Sequence, residues 1–464
     1  MARGVWGATT DGAHVCRPAG RAAYAPETPA TRAPRGPYRR SVLTLLRRPL
    51  READATSTFY VLTAVAAFAF AACFTLNLVF QYRVVGLDPF QMVLVGTVLE
   101  ATCFVFEVPT GIVADLHSRR VSVIIGFFLV GVGFAVEGVV ATFAAAIVGN
   151  VIWGIGYTFT SGALQAWITD EVGEEHVAPV FTRETQLDLA FGFLGTLAAG
   201  GLGLIALRVP IVVAGVTLVL LAVGLAVAMP ERHFHPTPRG DRETFGHLND
   251  QFVAGLAVAR GRRVVRVFLL VSVLVGLSSE VFDRLWQVRV LDTFAMPSFL
   301  GGDPAVAFTV FALIGSVISL LASGASSRWL PARVVEENPG LPVALAAAAQ
   351  VVAVVGVALL GNLWLVLAAL WLHNASSAFS APIQATWLNR NLESSSRATV
   401  LSMNSQANAI GQVAGGPPLG ALATRTSIPV ALLVAAVVQL PSVLAFLRVR
   451  HSTTRVEVGG AQRG

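Results

Sequence analysis

The chain repeats one pattern, a stretch of about 20 apolar residues followed by a polar turn. A helix needs about 20 apolar residues to cross the hydrocarbon of a bilayer, and a helix satisfies its own backbone groups within such a segment. We therefore predict an all-helical membrane protein with twelve spanning helices. The predicted spans are residues 57–82, 89–113, 121–140, 143–168, 182–206, 209–229, 264–290, 304–324, 341–360, 363–388, 398–422 and 427–447.

The composition agrees with this prediction and excludes other classes of protein. A mean hydropathy of +0.68 with only 13% charged residues is too apolar for a soluble globular chain. A pI near 9.9 could suggest a nucleic-acid partner, but the basic residues are all arginines that cluster at the ends of apolar stretches, which is the pattern of membrane topology. The three cysteines lack the spacing of a disulfide framework or a metal site, so we expect no cofactor.

The arginines crowd one side of the predicted bundle. They occur in the N-terminal tail, the turn at 115–120, the linker at 230–266 and the C-terminal tail. Arginine-rich loops face the cytoplasm, so we predict a multi-pass protein with both termini in the cytoplasm. The use of arginine without lysine, with abundant alanine, glycine and valine, is typical of a GC-rich bacterium, and we expect the chain in a bacterial inner membrane. The predicted organisation is a disordered basic tail at 1–55, a six-helix bundle at 56–229, a cytoplasmic linker at 230–263, a second six-helix bundle at 264–448 and a cytoplasmic tail at 449–464.

The turn after the second span carries the most specific motif of the sequence. It lies within Glu107–Arg120, and its characteristic residues are Gly111, Asp115, Arg119 and Arg120. The spacing resembles the signature loop of the major facilitator superfamily. In both, a glycine is followed after three residues by an aspartate, and after three more residues by basic residues, here two arginines. Leu116 and Ser118 depart from that loop, where the family prefers a basic residue and a glycine.

The resemblance implies a fold of two six-helix repeats that rock around a central site. Short segments of similar sequence occur in the same order in the two halves, which agrees with a repeat. Ser161–Ala166 and Ser380–Ala385 are one such pair. In the family, the signature aspartate holds the halves together on the cytoplasmic side, which implies that Asp115 faces the start of the eleventh span near Arg397. We also expect Gly111 to allow a close approach of two helices. The expected gate residues are Glu107, Gly111, Asp115, Arg119, Arg120 and Arg397.

The seventh span holds the densest group of polar and charged residues in apolar surroundings. Its members recur at helical spacing and share one face, and they are Glu280, Asp283, Arg284 and Gln287. A charge in lipid costs several kcal/mol, so these residues face a protein interior or a watery cavity. One interpretation is a substrate or proton site. The other is a self-neutralised Glu280–Arg284 pair with Asp283 near the outer headgroups. Glu100, near the middle of the second span, is a further proton candidate.

Other polar residues lie in the first, fourth and tenth spans, which line the cavity in the family. These further candidates for the substrate and proton cavity are Asn77, Gln81, Tyr157, Gln165, His373, Asn374 and Gln384. For any single asparagine or glutamine the alternative is a hydrogen bond between helices. Glu137, near the outer end of the third span, is interpreted as an interfacial residue, because that span faces lipid in the family.

The first functional hypothesis is proton-coupled export of a small amphipathic compound. No catalytic constellation is present in the sequence, so an enzyme is not expected. The drug-export branches of the family carry a Gly-Pro pair on the fifth span, whereas this chain has it on the eleventh. The alternatives are uptake of a sugar or organic acid by proton symport, with Arg284 holding a carboxylate, and a non-transporting receptor or scaffold. The expected partners are a small-molecule substrate, protons and the lipid bilayer; a monomer is expected and nucleic acid is not.

Overall fold

The computed structural model describes residues 54–234, 261–329, 338–392 and 394–449. Within these residues the chain is helical apart from its turns, and no strand occurs. The α-helices are α1 (Ala55–Phe80), α2 (Pro89–Leu116), α3 (Arg119–Val139), α4 (Phe143–Thr160), α5 (Ala163–Val172), α6 (Val177–Gly203), α7 (Val209–Ala228), α8 (Arg263–Thr293), α9 (Pro304–Trp329), α10 (Gly340–Leu359), α11 (Leu363–Arg390), α12 (Ser394–Arg425) and α13 (Ile428–Val449). Every predicted span coincides with helical structure whose ends differ from the prediction by five residues or fewer.

Ten helical segments in the described part of the chain are long and apolar enough to cross a membrane. They include every predicted span except those at 182–206 and 398–422. The helices that cover these two stretches, α6 and α12, contain many glycines and polar residues, which lower their hydropathy. The fold class of an all-helical, multi-pass membrane protein is confirmed, and the number of twelve spans stays a prediction.

The first helix continues into a rare form of backbone. Gln81–Val85 is a π-helical turn, and Gly86 ends it with φ of 76°. Asp88 then begins α2 with reciprocal hydrogen bonds: its carboxylate accepts from the backbone N–H of Gln91, and its own N–H donates to the Gln91 side chain. This capping box satisfies donors that a helix start leaves unpaired, so the connection between α1 and α2 is firmly held.

The fourth predicted span is not one continuous helix. It divides into α4 and α5, and Gly162 lies between them with φ of 73°. Glycine adopts this left-handed backbone without the strain that a Cβ would cause. The predicted span at 143–168 is therefore helical with one break at this glycine, and the two helices together are long and apolar enough to cross a membrane.

Glycine-rich runs bring the backbones of neighbouring helices into contact. A Cβ on Gly415 of α12 would overlap the carbonyl of Leu277 on α8, and one on Gly195 of α6 would overlap the carbonyl of Phe68 on α1. Packing through small residues stabilises helices in lipid without bulky apolar side chains. This explains how α6 and α12 belong to the bundle despite their lower hydropathy.

The bundle consists of two halves and has two ends. The N-terminal half is residues 54–234, and the C-terminal half is the described part of 261–449. The linker end of the bundle carries the turn between α2 and α3, and the far end carries the turn between α1 and α2.

The halves touch from the middle of the bundle to the far end and are apart at the linker end. At the far end, Gly200 of α6 packs on Thr309 of α9, and Gly420 of α12 packs on Val93 of α2. Towards the linker end, the four consecutive residues Phe104–Glu107 of α2 are all exposed. Because consecutive residues point around the whole helix, this part of α2 has no close neighbour over most of its circumference among the described residues. A cleft between the halves therefore opens at the linker end.

Candidate functional site

A buried ion pair lies near the middle of the bundle. Nε of Arg284 donates to Oε1 of Glu280 at 2.9 Å, one turn apart on α8. The two side chains are 16% and 5% exposed. The self-neutralised pair, which the sequence left open as one interpretation, is therefore present. Spacing along one helix is sufficient to bring the two side chains together.

The ion pair fills a notch between the halves. A Cβ on Gly96 of α2 would overlap both the Glu280 carboxylate and the Arg284 guanidinium. From the other side, a Cβ on Gly416 of α12 would lie 3.4 Å from Cγ of Glu280. The pair therefore lies at the contact between the N-terminal and C-terminal halves, where it has little room to move. No pattern in the sequence indicates a role for Gly96.

Further carboxylates surround the arginine. Glu100 of α2 lies within electrostatic range of both Glu280 and Arg284. Asp283 lies within range of the same pair. The structure thus brings together Glu100, Glu280, Asp283 and Arg284, which we call the central acidic site. One guanidinium compensates one carboxylate, so the remaining negative charge in this poorly solvated place calls for protons or a cationic ligand.

The location of Glu137 differs from the prediction made from the sequence. It was interpreted as an interfacial residue, yet it is only 2% exposed. Its Oε1 accepts from Nε2 of Gln81 at 2.6 Å, and its Oε2 accepts from Nδ2 of Asn150 at 3.2 Å. The physical reason is that α3 and α4 approach closely where Gly133 packs on Gly149, so this face of α3 turns inward. Asn77, Gln81, Glu137 and Asn150 are called the Glu137 cluster below.

The remaining predicted cavity residues are distributed over different surroundings. Tyr157 lies within electrostatic range of Glu100, close to the central acidic site. Gln287 is buried next to that site on α8, and its Oε1 has no hydrogen-bond partner in the described residues. Gln165 lies in α5 beside Ala166, whose carbonyl binds an arginine of the signature turn, so it belongs to the linker end rather than the centre.

The three candidates on α11 are near α8 and α9 or make local bonds. His373 packs against the ring of Phe282 of α8 with centroids 4.3 Å apart, and its Nδ1 is buried without a hydrogen-bond partner in the described residues. Asn374 faces Gly315 of α9. Gln384 donates to the Ser380 hydroxyl one turn earlier, at 3.1 Å. Of these three, His373 makes a direct contact with the helix that carries the central acidic site.

The far end is closed by hydrogen bonds between the halves. The hydroxyl of Tyr82 donates to the Asp292 carboxylate, and Nη2 of Arg83 donates to the backbone oxygen of Leu291 at 3.1 Å. The backbone N–H of Phe90 donates to a threonine of α12 at 2.9 Å. We call Tyr82, Arg83 and Asp292 the far-end clasp. Two of its members lie on the π-helical turn, directly after Gln81 of the Glu137 cluster.

We expect Tyr82→Phe to weaken the far-end clasp. The change removes the hydroxyl that donates to Asp292, and one such hydrogen bond corresponds to about a threefold to tenfold change in the closed population. The measurement is the distance between spin labels on Val140→Cys and Phe299→Cys, two exposed far-end positions on opposite halves, in a background without the native cysteines. The distribution should shift to longer distances.

Tyr60→Phe is the control for this prediction, because Tyr60 lies on α1 near the linker end and is also partly buried. It should leave the distribution unchanged. An unchanged distribution in Tyr82→Phe as well would mean that the remaining contacts alone keep the far end closed.

At the linker end, the two arginines of the signature turn bind elements of their own half. Arg119 pairs with Asp170 of α5 and, at 3.7 Å, with Asp115. Arg120 is fully buried; its backbone N–H donates to Glu231 at 2.9 Å and its Nη2 donates to the Ala226 carbonyl at 2.6 Å. The turn therefore anchors α5 and the segment that follows α7.

The expected contact across the halves at the linker end is not made in this conformation. The aspartate of the motif, Asp115, pairs with Arg119 beside it, and the side chain of Arg397 is exposed. A Cβ on Gly111 would meet no described atom within 4 Å, so the expected close helix approach is absent. Glu107 is exposed on the same stretch of α2. The reason is the open cleft, and the roles of these residues in a state closed at this end stay predictions.

Comparison with known proteins gives one family. A family model described as Major Facilitator Superfamily matches residues 59–347. A relative from Bacillus subtilis (strain 168), described as the uncharacterized MFS-type transporter YxaM, is 23% identical over 380 residues, which cover 81% of this chain and 92% of the relative.

Solved structures of transporters have a similar fold. The nucleoside transporter NupG has a TM-score of 0.70 at 13% identity, over 85% of this chain and 99% of that one. A POT family transporter in complex with 5-aminolevulinic acid has a TM-score of 0.64 at 13% identity, over 88% and 99%. A bacterial homolog of the human lysosomal transporter Spinster, in an inward-facing and unoccupied conformation, has a TM-score of 0.61 at 15% identity, over 86% and 98%. At such identities the likeness concerns the fold alone.

Proposed function

The chain belongs to the Major Facilitator Superfamily and is a secondary transporter, and on that premise we propose that it exports small amphipathic compounds in exchange for protons. The observation that carries the proposal is the central acidic site. Two carboxylates beyond the neutralised pair, Glu100 and Asp283, share a poorly solvated place at the contact between the halves. Carboxylates in such surroundings exchange protons and attract organic cations.

The surroundings of the acidic site support an amphipathic ligand. Directly after Glu100 in the chain, towards the linker end, α2 exposes Phe104 and Phe106. Aromatic and apolar side chains with a few charged groups are typical of a site for a ligand with an apolar body and one polar group. Arginine placement assigns the linker end to the cytoplasm, so the open cleft would receive its ligand from the cytoplasm.

In the proposed cycle, the two ends of the bundle open in turn. Closing the linker end would bring α2 towards α12, with Gly111 and Asp115 meeting the region of Arg397, while the far-end clasp opens. A proton on Glu100 or Asp283 and a cation at the site compete for the same negative charge, which couples export of one to entry of the other.

Uptake of an organic acid is less well supported. That hypothesis assigns Arg284 to a substrate carboxylate, but its guanidinium already binds Glu280 and lies among further acidic groups. Symport and a non-transporting receptor each predict a different result from export in the experiment that tests the proposal.

The test is proton movement in proteoliposomes of the purified protein. A pH dye in the lumen is read while cationic amphipathic drugs, sugars and organic acids are added one at a time. Export by antiport predicts that a drug drives protons in the opposite direction, and that Glu100→Gln or Asp283→Asn reduces this movement at least tenfold.

The matched control is Glu174→Gln, an exposed glutamate in the turn before α6, which should behave as wild type. Proton movement in the same direction as a sugar or acid would establish symport instead. Ligand binding without any proton or ligand movement would contradict the transport proposal and favour a receptor.

A further inference from the structure

A row of amide side chains runs along α12 towards the central acidic site. Its members are Asn404, Asn408 and Gln412, which lie one helical turn apart and are all partly buried. The hydroxyl of Ser272 on α8 donates to Oδ1 of Asn404 at 2.7 Å, and Nδ2 of Asn408 donates to the backbone oxygen of Ser272 at 3.2 Å. Nε2 of Gln412 donates to Oδ1 of Asn408 at 2.6 Å. The proposed transport function assigns no task to these residues.

The hydrogen bonds of the row fix the orientation of the Gln412 amide. A backbone carbonyl can only accept, so the side-chain nitrogen of Asn408 must face Ser272 and its oxygen must face Gln412. That oxygen in turn requires the nitrogen of Gln412 as its donor. Oε1 of Gln412 is therefore left over, and it makes no hydrogen bond to any of the described residues although it is not fully buried.

The side chain of Gln412 points towards the cleft between the halves. Gly411 and Gly415 pack on α8, whereas Gly416 and Gly420 pack on α2. At about 3.6 residues per turn, Gln412 lies on the surface of α12 between these two faces. Because α2 and α12 part towards the linker end, the direction between α2 and α8 leads into the open cleft.

Gln412 is also level with the central acidic site. A Cβ on Gly416 would overlap the hydroxyl of Thr97 on α2. The two helices run antiparallel, so the turn before Gly416 lies beside the turn after Thr97, which carries Glu100. On α8, a Cβ on Gly276, one turn before the ion pair, would lie 3.0 Å from the backbone nitrogen of Gln412. A cation at the central acidic site would therefore lie beside the Gln412 side chain.

We infer that Oε1 of Gln412 accepts a hydrogen bond from the cationic group of the substrate, and that the substrates are primary and secondary amines. The inference rests on the proposed function. The carboxylates attract any organic cation, whereas a carbonyl oxygen binds only a cation that brings a donor. An ammonium group with two N–H bonds can donate to a carboxylate and to Gln412 at once. A tertiary amine has one N–H for both acceptors, and a quaternary ion has none, so either would leave this oxygen without a partner.

The test compares three tricyclic amines that differ by one methyl group on the cationic nitrogen. Desipramine has two N–H bonds there when protonated, imipramine has one and N-methylimipramine has none. Their affinities for the purified full-length protein are measured by calorimetric titration, with protein-free micelles as the blank. We expect desipramine to bind about tenfold more tightly than imipramine, because only desipramine has a second N–H for Gln412.

Three variants assign this preference to the amide row. Gln412→Met keeps the size of the side chain and removes the oxygen, so desipramine should bind no more tightly than imipramine, whose affinity should stay unchanged. Asn408→Ala removes the acceptor that orients Gln412 and should lower the preference for desipramine without abolishing it. Gln406→Met is the matched control, because Gln406 lies on the opposite side of α12 from Gly415, and it should keep the wild-type preference.

The outcomes separate this inference from the proposed function. Equal affinities of desipramine and imipramine for the wild type would overturn the inference and leave cation export standing. A full preference in Gln412→Met would place the second acceptor elsewhere and would overturn it as well. If Gln412→Met cannot be purified, an unchanged preference in Asn408→Ala has the same meaning. Absence of binding by all three compounds would contradict the cation site itself, and with it both the proposed function and this inference.

Discussion

Replacing Gly96 by alanine should reduce substrate-driven proton movement at least tenfold while the protein still folds. The new methyl group would occupy the space of the Glu280 carboxylate and the Arg284 guanidinium. Both are ends of flexible side chains, so they can move away, but moving breaks their 2.9 Å hydrogen bond. Retreat is limited because α12 packs against Glu280 from the other side at Gly416. Overpacking of this kind costs about 1–3 kcal/mol, which lowers the melting temperature without preventing folding.

The matched control is Gly224→Ala on α7, where an added Cβ meets no described atom within 4 Å. It should keep wild-type transport and have an equal or slightly higher melting temperature, since alanine favours a helix by about 1 kcal/mol over glycine. The two variants are compared in the proteoliposome assay at equal reconstituted protein. Wild-type transport by Gly96→Ala would show that the arrangement of the ion pair is not needed for the cycle.

Arg284→Gln should be the most destabilising single change in the central acidic site. It leaves Glu280 buried without its cation, and removing one partner of a buried pair typically costs about 3–5 kcal/mol. The other carboxylates, Glu100 and Asp283, add repulsion because both lie within range. Glu280→Gln should be much milder, since Arg284 then keeps these two carboxylates. The measurement is the melting temperature of each purified variant, together with the amount extracted from membranes.

The double variant Glu280→Gln, Arg284→Gln tests the reason for that asymmetry. Removing both charges should recover most of the stability that Arg284→Gln loses, which a double-mutant cycle reads directly. Substrate-driven proton movement should stay low in the double variant, because the site has lost the arginine that balances its carboxylates. Equal melting temperatures for the two single variants would mean that the surrounding carboxylates do not act on this pair.

The spans were predictable from sequence because lipid demands continuous apolar helices, which leave a clear pattern. The pairing of Glu280 with Arg284 was one of two interpretations of the sequence, because their spacing along one helix allows the two side chains to meet. The break at Gly162 was missed, because a glycine in an apolar segment is also common inside a packed helix. Only the conformation of the turn distinguishes the two cases.

Glu137 was missed because apolar composition does not reveal which face of a membrane helix points inward. One signal was available. Gly126, Gly133 and Glu137 lie seven and four residues apart, so they share a face of α3, and both glycines pack on α4. A charged residue on the same helix face as small residues indicates that this face contacts another helix. Resemblance to a family indicates only which way the span faces in typical members.

Contacts between the halves could not be predicted from the sequence, for a different reason. Gly96 and Glu280 are far apart in the chain, and neither the size of a glycine nor the charge of a glutamate specifies the other. The partner of Asp115 also depends on which end of the bundle is open. The same sequence forms both the state open at the linker end and the state closed there, so the sequence alone does not specify the partner.

The notch around the ion pair also limits how this protein can diverge. An alanine at position 96 is harmful while positions 280 and 284 carry their charges, and it becomes tolerable once those side chains are short. The charged pair, in turn, can arise only in an ancestor that already has glycine on the facing helix. In the descent of such chains, these three positions should therefore be exchanged together, and a lineage that abandons the charges is free to fill the notch.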